Sequence, residues 1–393
     1  MKYFLIFALS CLPLVDLSIT TSSAADTTIR IERPYDDFGF LKPIPVSISG
    51  FSGEVDSVLK NDLIFMGVQN VAPSEARYFI TGSNGERVEG RVTEKVTKQE
   101  IFARAYAGGS KRVQTHALAD DIAKLLTQLP GIAQTKVAFK VETGPSVGEI
   151  YLADYDGHNP QAVTRDNSLV AAPSWSHRSV LYYASYKLGK PTVFSHELSS
   201  GARRALVHGP GSTMSPAVSP DGQKIAFIWN KGGSPNLYVC PSDGSNVQQL
   251  SKSRDAESSP CWSRDSQSIC FVSRERGPAN LFTISANGTG RRHLSTVGVG
   301  NATEPSWSPD GKWIAFTAQR AGGFDICIVK AQGGPVMVLA EGEDPSWAPN
   351  SRAIIFCKGP DHRKVLSLLD APTKHVKDIA RISESNSQPS WAP

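Results

Sequence analysis

Short apolar segments recur at regular spacing along the last two thirds of the chain. One repeat contains Ile225-Ala-Phe-Ile, then Asn236-Leu-Tyr-Val, and then the pair Asp243-Gly244. Short apolar runs bounded by turn residues are typical of β-strands, and glycine supplies the positive φ that tight hairpins require. The first segment of each repeat starts at Val137, Val180, Ile225, Ile269, Ile314 and Ile354. The pattern predicts six repeats of antiparallel strands.

A proline-containing phrase recurs in the polar stretches between these strands. Its full form is Pro305-Ser-Trp-Ser-Pro-Asp-Gly, and its tryptophan slot recurs every 40 to 45 residues, at Trp175, Val218, Trp262, Trp307, Trp347 and Trp391. A period in this range that carries strands indicates a β-propeller with one repeat per blade. We expect each phrase to form the innermost strand of the following blade, with its tryptophan packed between neighbouring blades.

The phrases and the sets of strands are offset from each other by one repeat. The first set of strands, from Val137, has no phrase before it, and the last phrase, Pro389 to Ala392, has no strands after it. The simplest solution is ring closure, in which residues 389–392 supply the inner strand of the first blade and leave no open sheet edge. The propeller is therefore predicted to span residues 132–393.

The first residues have the features of an export signal. Lys2 precedes a short apolar run from Tyr3 to Val15, and the small residues Ser23 and Ala25 occupy the −3 and −1 positions of a cleavage site. We expect residues 1–25 to be removed. No later stretch has the ~18 consecutive apolar residues that a membrane-spanning helix needs.

Residues 26–131 lack the repeat and predict a small α/β domain. Glu54 to Leu63 has the periodicity of an amphipathic helix, and so does His116 to Gln128, which Thr115 could cap. Strand-like runs alternate with these helices, and Asn84-Gly85 is a hairpin turn signal. The predicted fold is mainly β: a six-bladed β-propeller preceded by a small α/β domain.

The net charge and the candidate chemical motifs argue against several classes of function. The net charge of +4 is small and dispersed, so nucleic acid is not an expected partner. Histidines are scattered and cysteines form no C-x-x-C pair, so we expect neither a metal nor a cofactor. Gly144 to Gly148 matches G-x-S-x-G, but a strand follows it rather than the helix that a nucleophile elbow needs. We therefore expect no catalytic residues and no enzyme activity.

The repeat and one further stretch resemble a known family. The Trp-Ser-Pro-Asp-Gly and Ile-Ala-Phe repeats, together with Ala153 to Asn159 in the first blade, are similar to TolB, the periplasmic component of the bacterial Tol-Pal system. The resemblance implies a monomeric, non-enzymatic adaptor in the periplasm. It would bind the lipoprotein Pal, and thereby associate peripherally with the outer membrane, and it would bind TolA at the inner membrane. Such an adaptor supports outer-membrane integrity and cell division.

The resemblance also implies where partners bind. Pal would contact loops just before the proline phrases, and TolA would contact the start of the mature chain. The implied Pal-binding residues are Ser212, Met214, Ser215, Glu257, Ser258, Ser259, Thr303 and Glu304. The implied TolA-binding residues are Asp26, Thr27, Thr28, Ile29, Arg30 and Ile31. Two alternatives remain open: an exported propeller enzyme, lyase or peptidase-like, and a structural envelope protein without a Tol partner.

Overall fold

The structure, a computed structural model, describes residues 34–177, 179–275, 277–379 and 382–393. The predicted export signal, residues 1–25, lies outside these residues. No helix among the described residues is long and apolar enough to cross a membrane. The predicted fold class, a six-bladed propeller preceded by a small α/β domain, is confirmed.

The α/β domain is a five-stranded mixed sheet with two helices. In chain order the elements are β1 Ile44–Ser49, α1 Gly53–Phe65, β2 Val68–Asn70, β3 Tyr78–Ser83, β4 Val88–Glu94, β5 Glu100–Tyr106 and α2 Lys111–Thr127. The strand order is β2-β1-β3-β4-β5, in which β1 runs parallel to β2 and β3 and the remaining pairs are antiparallel.

Helix α2 begins earlier than the sequence pattern predicts. The expected start at His116 with Thr115 as cap is wrong, because Ser110 is the N-cap and its hydroxyl accepts from Val113 N at 3.3 Å. Thr115 lies inside the helix and donates to the Lys111 carbonyl at 2.7 Å. The apolar periodicity marks only the buried face of a helix, and the first turn of α2 carries little of that face.

The propeller contains six four-stranded antiparallel sheets in the described part of the chain. From the channel outwards, blade 1 is Asn386–Trp391, Lys136–Gly144, Val147–Asp154 and Gln161–Ala162; blade 2 is Val170–His177, Val180–Ser185, Thr192–Glu197 and Arg203–Ala205; blade 3 is Ser212–Val218, Lys224–Asn230, Asn236–Pro241 and Gln248–Gln249. Blade 4 is Glu257–Trp262, Ser268–Ser273, Asn280–Ser285 and Arg292–His293; blade 5 is Ala302–Trp307, Trp313–Arg320, Gly323–Lys330 and Met337–Glu341; blade 6 is Glu343–Trp347, Ala353–Lys358, Val365–Asp370 and His375–Asp378. The remaining elements are a two-stranded sheet, Thr296–Val297 with Gly334–Pro335, and a 3-10 helix, Asp361–Arg363.

The last strand of the chain belongs to the first blade. Asn386–Trp391 pairs antiparallel with Lys136–Gly144, with Trp391 opposite Val137. The pairing occupies what would otherwise be an open edge of the first blade, so one set of backbone hydrogen bonds joins the two ends of the propeller.

The proline phrase also ties neighbouring blades together through its side chains. Trp262 Nε1 donates to the Ala217 carbonyl of the preceding blade at 2.8 Å, and the indole is 6% exposed. The serine before the tryptophan bonds the other way, since Ser346 Oγ accepts from Trp391 N at 3.0 Å and Ser306 Oγ accepts from Trp347 N at 3.3 Å. In these blades the phrase therefore joins polar groups of neighbouring blades, and the indole of Trp262 is buried between them.

The α/β domain docks on blades 1 and 6 through a buried polar cluster. Tyr155 is almost wholly buried, and its hydroxyl donates to Asp62 in α1. Burial and the charge of Asp62 raise the pKa of this phenol. The next turn needs Gly157, because φ is +82° and a Cβ would lie 1.8 Å from the Ile379 carbonyl oxygen. The Asp-Tyr-Asp-Gly stretch therefore serves as the domain contact.

A buried arginine holds the chain before β1 against blade 6. Arg352 is 2% exposed and forms a bidentate pair with Asp370, at 2.6 and 2.9 Å. Its remaining nitrogen, Nη1, donates to the Leu41 carbonyl at 2.6 Å. All three contacts satisfy a charge that would otherwise be costly to bury.

Candidate functional site at the propeller channel

Each innermost strand carries the same irregularity next to its proline. The residue before the proline has a left-handed conformation, with φ between 49° and 57° in all six blades. These six residues, which we call the channel ring, are Ala172, Ser215, Ser259, Glu304, Asp344 and Gln388. Together with the six prolines they line one cavity of about 200 Å³. Positions about 40 residues apart in sequence thus converge around the channel.

The cause is a β-bulge that recurs in every blade. In blade 4, Ser258 is opposite Val272 and Cys261 is opposite Cys270, so that Ser259 and Pro260 share one partner position. Proline lacks the N–H of a ladder hydrogen bond and is therefore tolerated at a bulge. The residue opposite each bulge is a buried aromatic: Phe139, Tyr183, Phe227, Phe271, Phe316 or Phe356.

The bulge conformation carries an energetic cost. Proline favours an extended conformation in the residue before it, whereas the channel ring is left-handed throughout. Such a conformation costs on the order of 1–3 kcal/mol at a non-glycine residue, and residues of this kind cluster at functional sites. The channel ring is therefore a candidate binding site on backbone geometry alone.

Three side chains of the channel ring hydrogen bond to the backbone of the following blade. Asp344 N donates to Glu304 Oε2 at 3.1 Å, and it also donates to Thr317 Oγ1 at 3.0 Å. Gln388 N donates to Asp344 Oδ2 at 3.0 Å, and Ala172 N donates to Gln388 Oε1 at 2.9 Å. One half of the ring is therefore closed by side-chain caps that run from blade to blade.

The acidic residues of this half perturb one another. Burial and the charge of Asp344 raise the pKa of Glu304 to about 7. Burial also raises the pKa of Asp344, and the neighbouring charge of Glu343 adds to the effect. Glu304 thus changes its charge near neutral pH, within the wall of the cavity.

The structure places the sequence-predicted residues in three different settings. Ser215, Ser259 and Glu304 come together in the channel ring. The predicted loops are wrong as local structure, because all eight residues lie within innermost strands, where the bulge lets a strand reach the channel. The four that are partly exposed and lie beside the ring rather than in the cavity wall are Ser212, Met214, Ser258 and Thr303.

Glu257, the remaining predicted residue, forms buried contacts within the propeller. Its side chain is buried and accepts from Leu237 N at 3.0 Å and from the Ser251 hydroxyl. Arg291 Nη2 lies 3.3 Å from its other carboxylate oxygen. These contacts join blades 3 and 4, and Glu257 is not among the residues that line the cavity.

Sequence reasoning missed half of the channel ring. Ala172, Asp344 and Gln388 were not among the predicted residues, although each directly precedes a repeated proline. Reading the same position across all six phrases would have found them. The predicted TolA-binding residues, Asp26 to Ile31, lie outside the described residues, so the structure places none of them.

The G-x-S-x-G match lies in a hairpin turn. Ser146, in the G-x-S-x-G match, has φ of 57° and lies between the strands Lys136–Gly144 and Val147–Asp154. A hairpin therefore occupies the place where a nucleophile elbow would require a helix. Among the described residues, no group of three or more His, Cys, Asp or Glu side chains is arranged to hold a metal ion.

Comparison with known proteins assigns the family. The model of the TolB beta propeller domain matches residues 123–393. The chain belongs to the TolB β-propeller family. A Tol-Pal system protein TolB from Gluconobacter oxydans is 31% identical over 392 residues, covering 90% of this chain and 86% of that protein. A Tol-Pal system protein TolB from Bordetella parapertussis is 29% identical and covers 77% of this chain and 70% of its own length.

A solved TolB structure shares the fold. The crystal structure of TolB from Acinetobacter baumannii superposes with a TM-score of 0.78 at 19% identity, covering 90% of this chain and 97% of that chain. The match spans more than the propeller, so the TolB family architecture includes the α/β domain found here.

Proposed function

We propose that this chain is a non-enzymatic periplasmic adaptor of the Tol-Pal envelope system. In this proposal the channel side of the propeller binds the lipoprotein Pal, and residues 26–31 bind TolA. The chain then links inner-membrane components to the outer membrane through Pal and supports envelope integrity and cell division. The names of the relatives, which are Tol-Pal system proteins, support the assignment to this system.

The observation that carries the Pal-binding proposal is the channel ring. Six strained positions, one per blade, line a single cavity of about 200 Å³. Non-glycine residues held in such costly conformations cluster at functional sites, which supports this placement. Partly exposed strand residues surround the cavity, so a partner can cover the ring and contact several blades together.

The test is binding of purified protein to Pal from the same organism without its lipid anchor. We expect a micromolar or tighter dissociation constant by calorimetry. Ser215→Arg puts a long side chain into the cavity wall and should raise that constant at least tenfold. Val338→Arg is the matched control, because Val338 is 48% exposed on the outer strand of blade 5.

Three results would each count against a part of the proposal. Absence of binding between the unmodified proteins would refute the adaptor function, and equal binding by Ser215→Arg would refute the placement of Pal at the channel ring. For TolA, deletion of residues 26–31 should abolish its binding and leave Pal binding intact. Retention of TolA binding by that deletion would remove the N-terminal segment from the proposal.

A further inference from the structure

The channel ring has two chemically different halves. In the closed half, the N–H groups of Asp344, Gln388 and Ala172 are capped by the side chain of the preceding ring residue. In the other half, which we call the open half, the corresponding N–H groups belong to Ser215, Ser259 and Glu304. The three open positions are consecutive around the ring, so they form one continuous surface.

The N–H groups of the open half are uncapped because the ring residues that precede them have short side chains. The residues that precede these N–H groups in the ring are Ala172, Ser215 and Ser259. Alanine has no acceptor, and the serine Oγ is one bond nearer the backbone than the Asp344 Oδ2 that caps Gln388. Within the described chain, no side chain of the ring caps the open half. A partner can therefore approach three backbone donors that no ring side chain caps.

The shared bulge indicates where the N–H groups of the open half point. Each open residue lies at the bulge, where it and its proline share one aromatic partner position. In the closed half the same bulge N–H points to the preceding blade rather than to the adjacent strand. Since all six positions share this bulge and the same φ range, we infer that the open N–H groups have the same direction.

Charge and size restrict the group that can enter. Glu304, the last residue of the open half, and Asp344, the next residue of the ring, lie at one end of the open half, and an incoming carboxylate would add a third acidic group to the same cavity. A volume of about 200 Å³ is below the ~300 Å³ at which small-molecule pockets begin, so it suits one side chain. The fitting group is neutral and has an acceptor for the N–H donors and a donor for the Glu304 carboxyl.

We propose that the open half of the channel ring binds a primary carboxamide, the side chain of an asparagine or glutamine of Pal. The carboxamide oxygen accepts from the backbone N–H groups of the open half, and its NH₂ donates to the Glu304 carboxyl. This inference rests on the proposed function, since it specifies how Pal is recognised at the same site.

The test is a variant in which a side chain of the ring also caps an N–H group of the open half. Ser259→Asn supplies a side-chain oxygen that can cap Glu304 N as Asp344 caps Gln388 N, and it adds no charge. Asparagine tolerates the left-handed conformation, so the variant should fold with an unchanged or higher melting temperature. We expect its dissociation constant for Pal to rise 10- to 100-fold. Ser259→Ala, which cannot cap, should cause a smaller loss, of at most about threefold.

The controls separate this inference from the proposed function. Lys98→Asn places asparagine at another left-handed position, exposed and in the α/β domain, and should bind Pal normally. If the unmodified protein binds Pal and Ser259→Asn binds equally well, the open-half proposal is overturned while the adaptor function stands. If the unmodified protein does not bind Pal, the adaptor function fails.

A double-mutant cycle identifies the incoming group. Each surface Asn and Gln of Pal is changed to Ala and titrated against the unmodified chain and against Ser259→Asn. One position should weaken binding at least tenfold with the unmodified chain and have little further effect with Ser259→Asn, because both changes remove the same contact. If no Asn or Gln of Pal couples in this way, the carboxamide assignment is wrong.

Discussion

The carboxyl of Glu304 should make the stability of the propeller depend on pH near neutrality. Its pKa is about 7 in the folded chain, against an ordinary value of 4.5. Between these two values the folded protein keeps a proton that the unfolded chain releases, so the free energy of unfolding falls as pH rises. A shift of this size corresponds to about 3 kcal/mol at 1.36 kcal/mol per unit, reached above pH 7.

Glu304→Gln removes this dependence. Glutamine keeps an oxygen for the Asp344 N–H but cannot ionise, so it resembles the protonated acid. The variant should match the unmodified protein at pH 4.5 and exceed its free energy of unfolding by up to about 3 kcal/mol at pH 8. Urea unfolding followed by tryptophan fluorescence at several pH values measures the difference. Glu75→Gln, at an exposed position, is the control and should leave the pH profile unchanged.

Parallel unfolding curves for Glu304→Gln and the unmodified protein from pH 4.5 to 8 would refute the reasoning. Such a result would mean that the channel ring holds Glu304 ionised at no cost, through hydration or compensating contacts. The closed half of the ring would then not be a low-dielectric environment, and the exclusion of a carboxylate from the open half would lose its support.

Further predictions concern the contacts that close the propeller and those that join it to the α/β domain. Deleting residues 386–393 exposes the edge of Lys136–Gly144 and removes Trp391. The deletion should lower the melting temperature by at least about 10 °C, since losing a buried Trp alone costs ~3–5 kcal/mol. An unchanged melting temperature would argue against closure of the propeller by this strand. Arg352→Met leaves Asp370 buried without its partner and should cost ~3–5 kcal/mol in urea unfolding, most of it recovered in Arg352→Met/Asp370→Leu. Tyr155→Phe should cost ~1–3 kcal/mol by the same assay, because the Asp62 carboxylate loses a buried donor.

The sequence by itself determined the number of blades and the place of the two middle strands in each blade. Each blade is built mainly from consecutive strands joined by short turns, so its pattern is complete within one repeat. The aromatic of Ile225-Ala-Phe and the tryptophan present in five of the six phrases are readable for the same reason, since both are fixed by packing that recurs from repeat to repeat. Helix α2 was found from its apolar face, while its first turn, capped by Ser110, left no such signal.

Only the tertiary structure decided which of the phrase residues share a site. Ser259 and Glu304 are 45 positions apart in sequence, and they line one cavity because ring closure brings equivalent positions of all blades together. Glu257, two positions from Ser259, is instead buried by Ser251 and Arg291. A strand's alternation and its bulge direct neighbouring side chains to different surroundings. A repeat pattern shows that positions are equivalent, but their common environment exists only once the ring is closed.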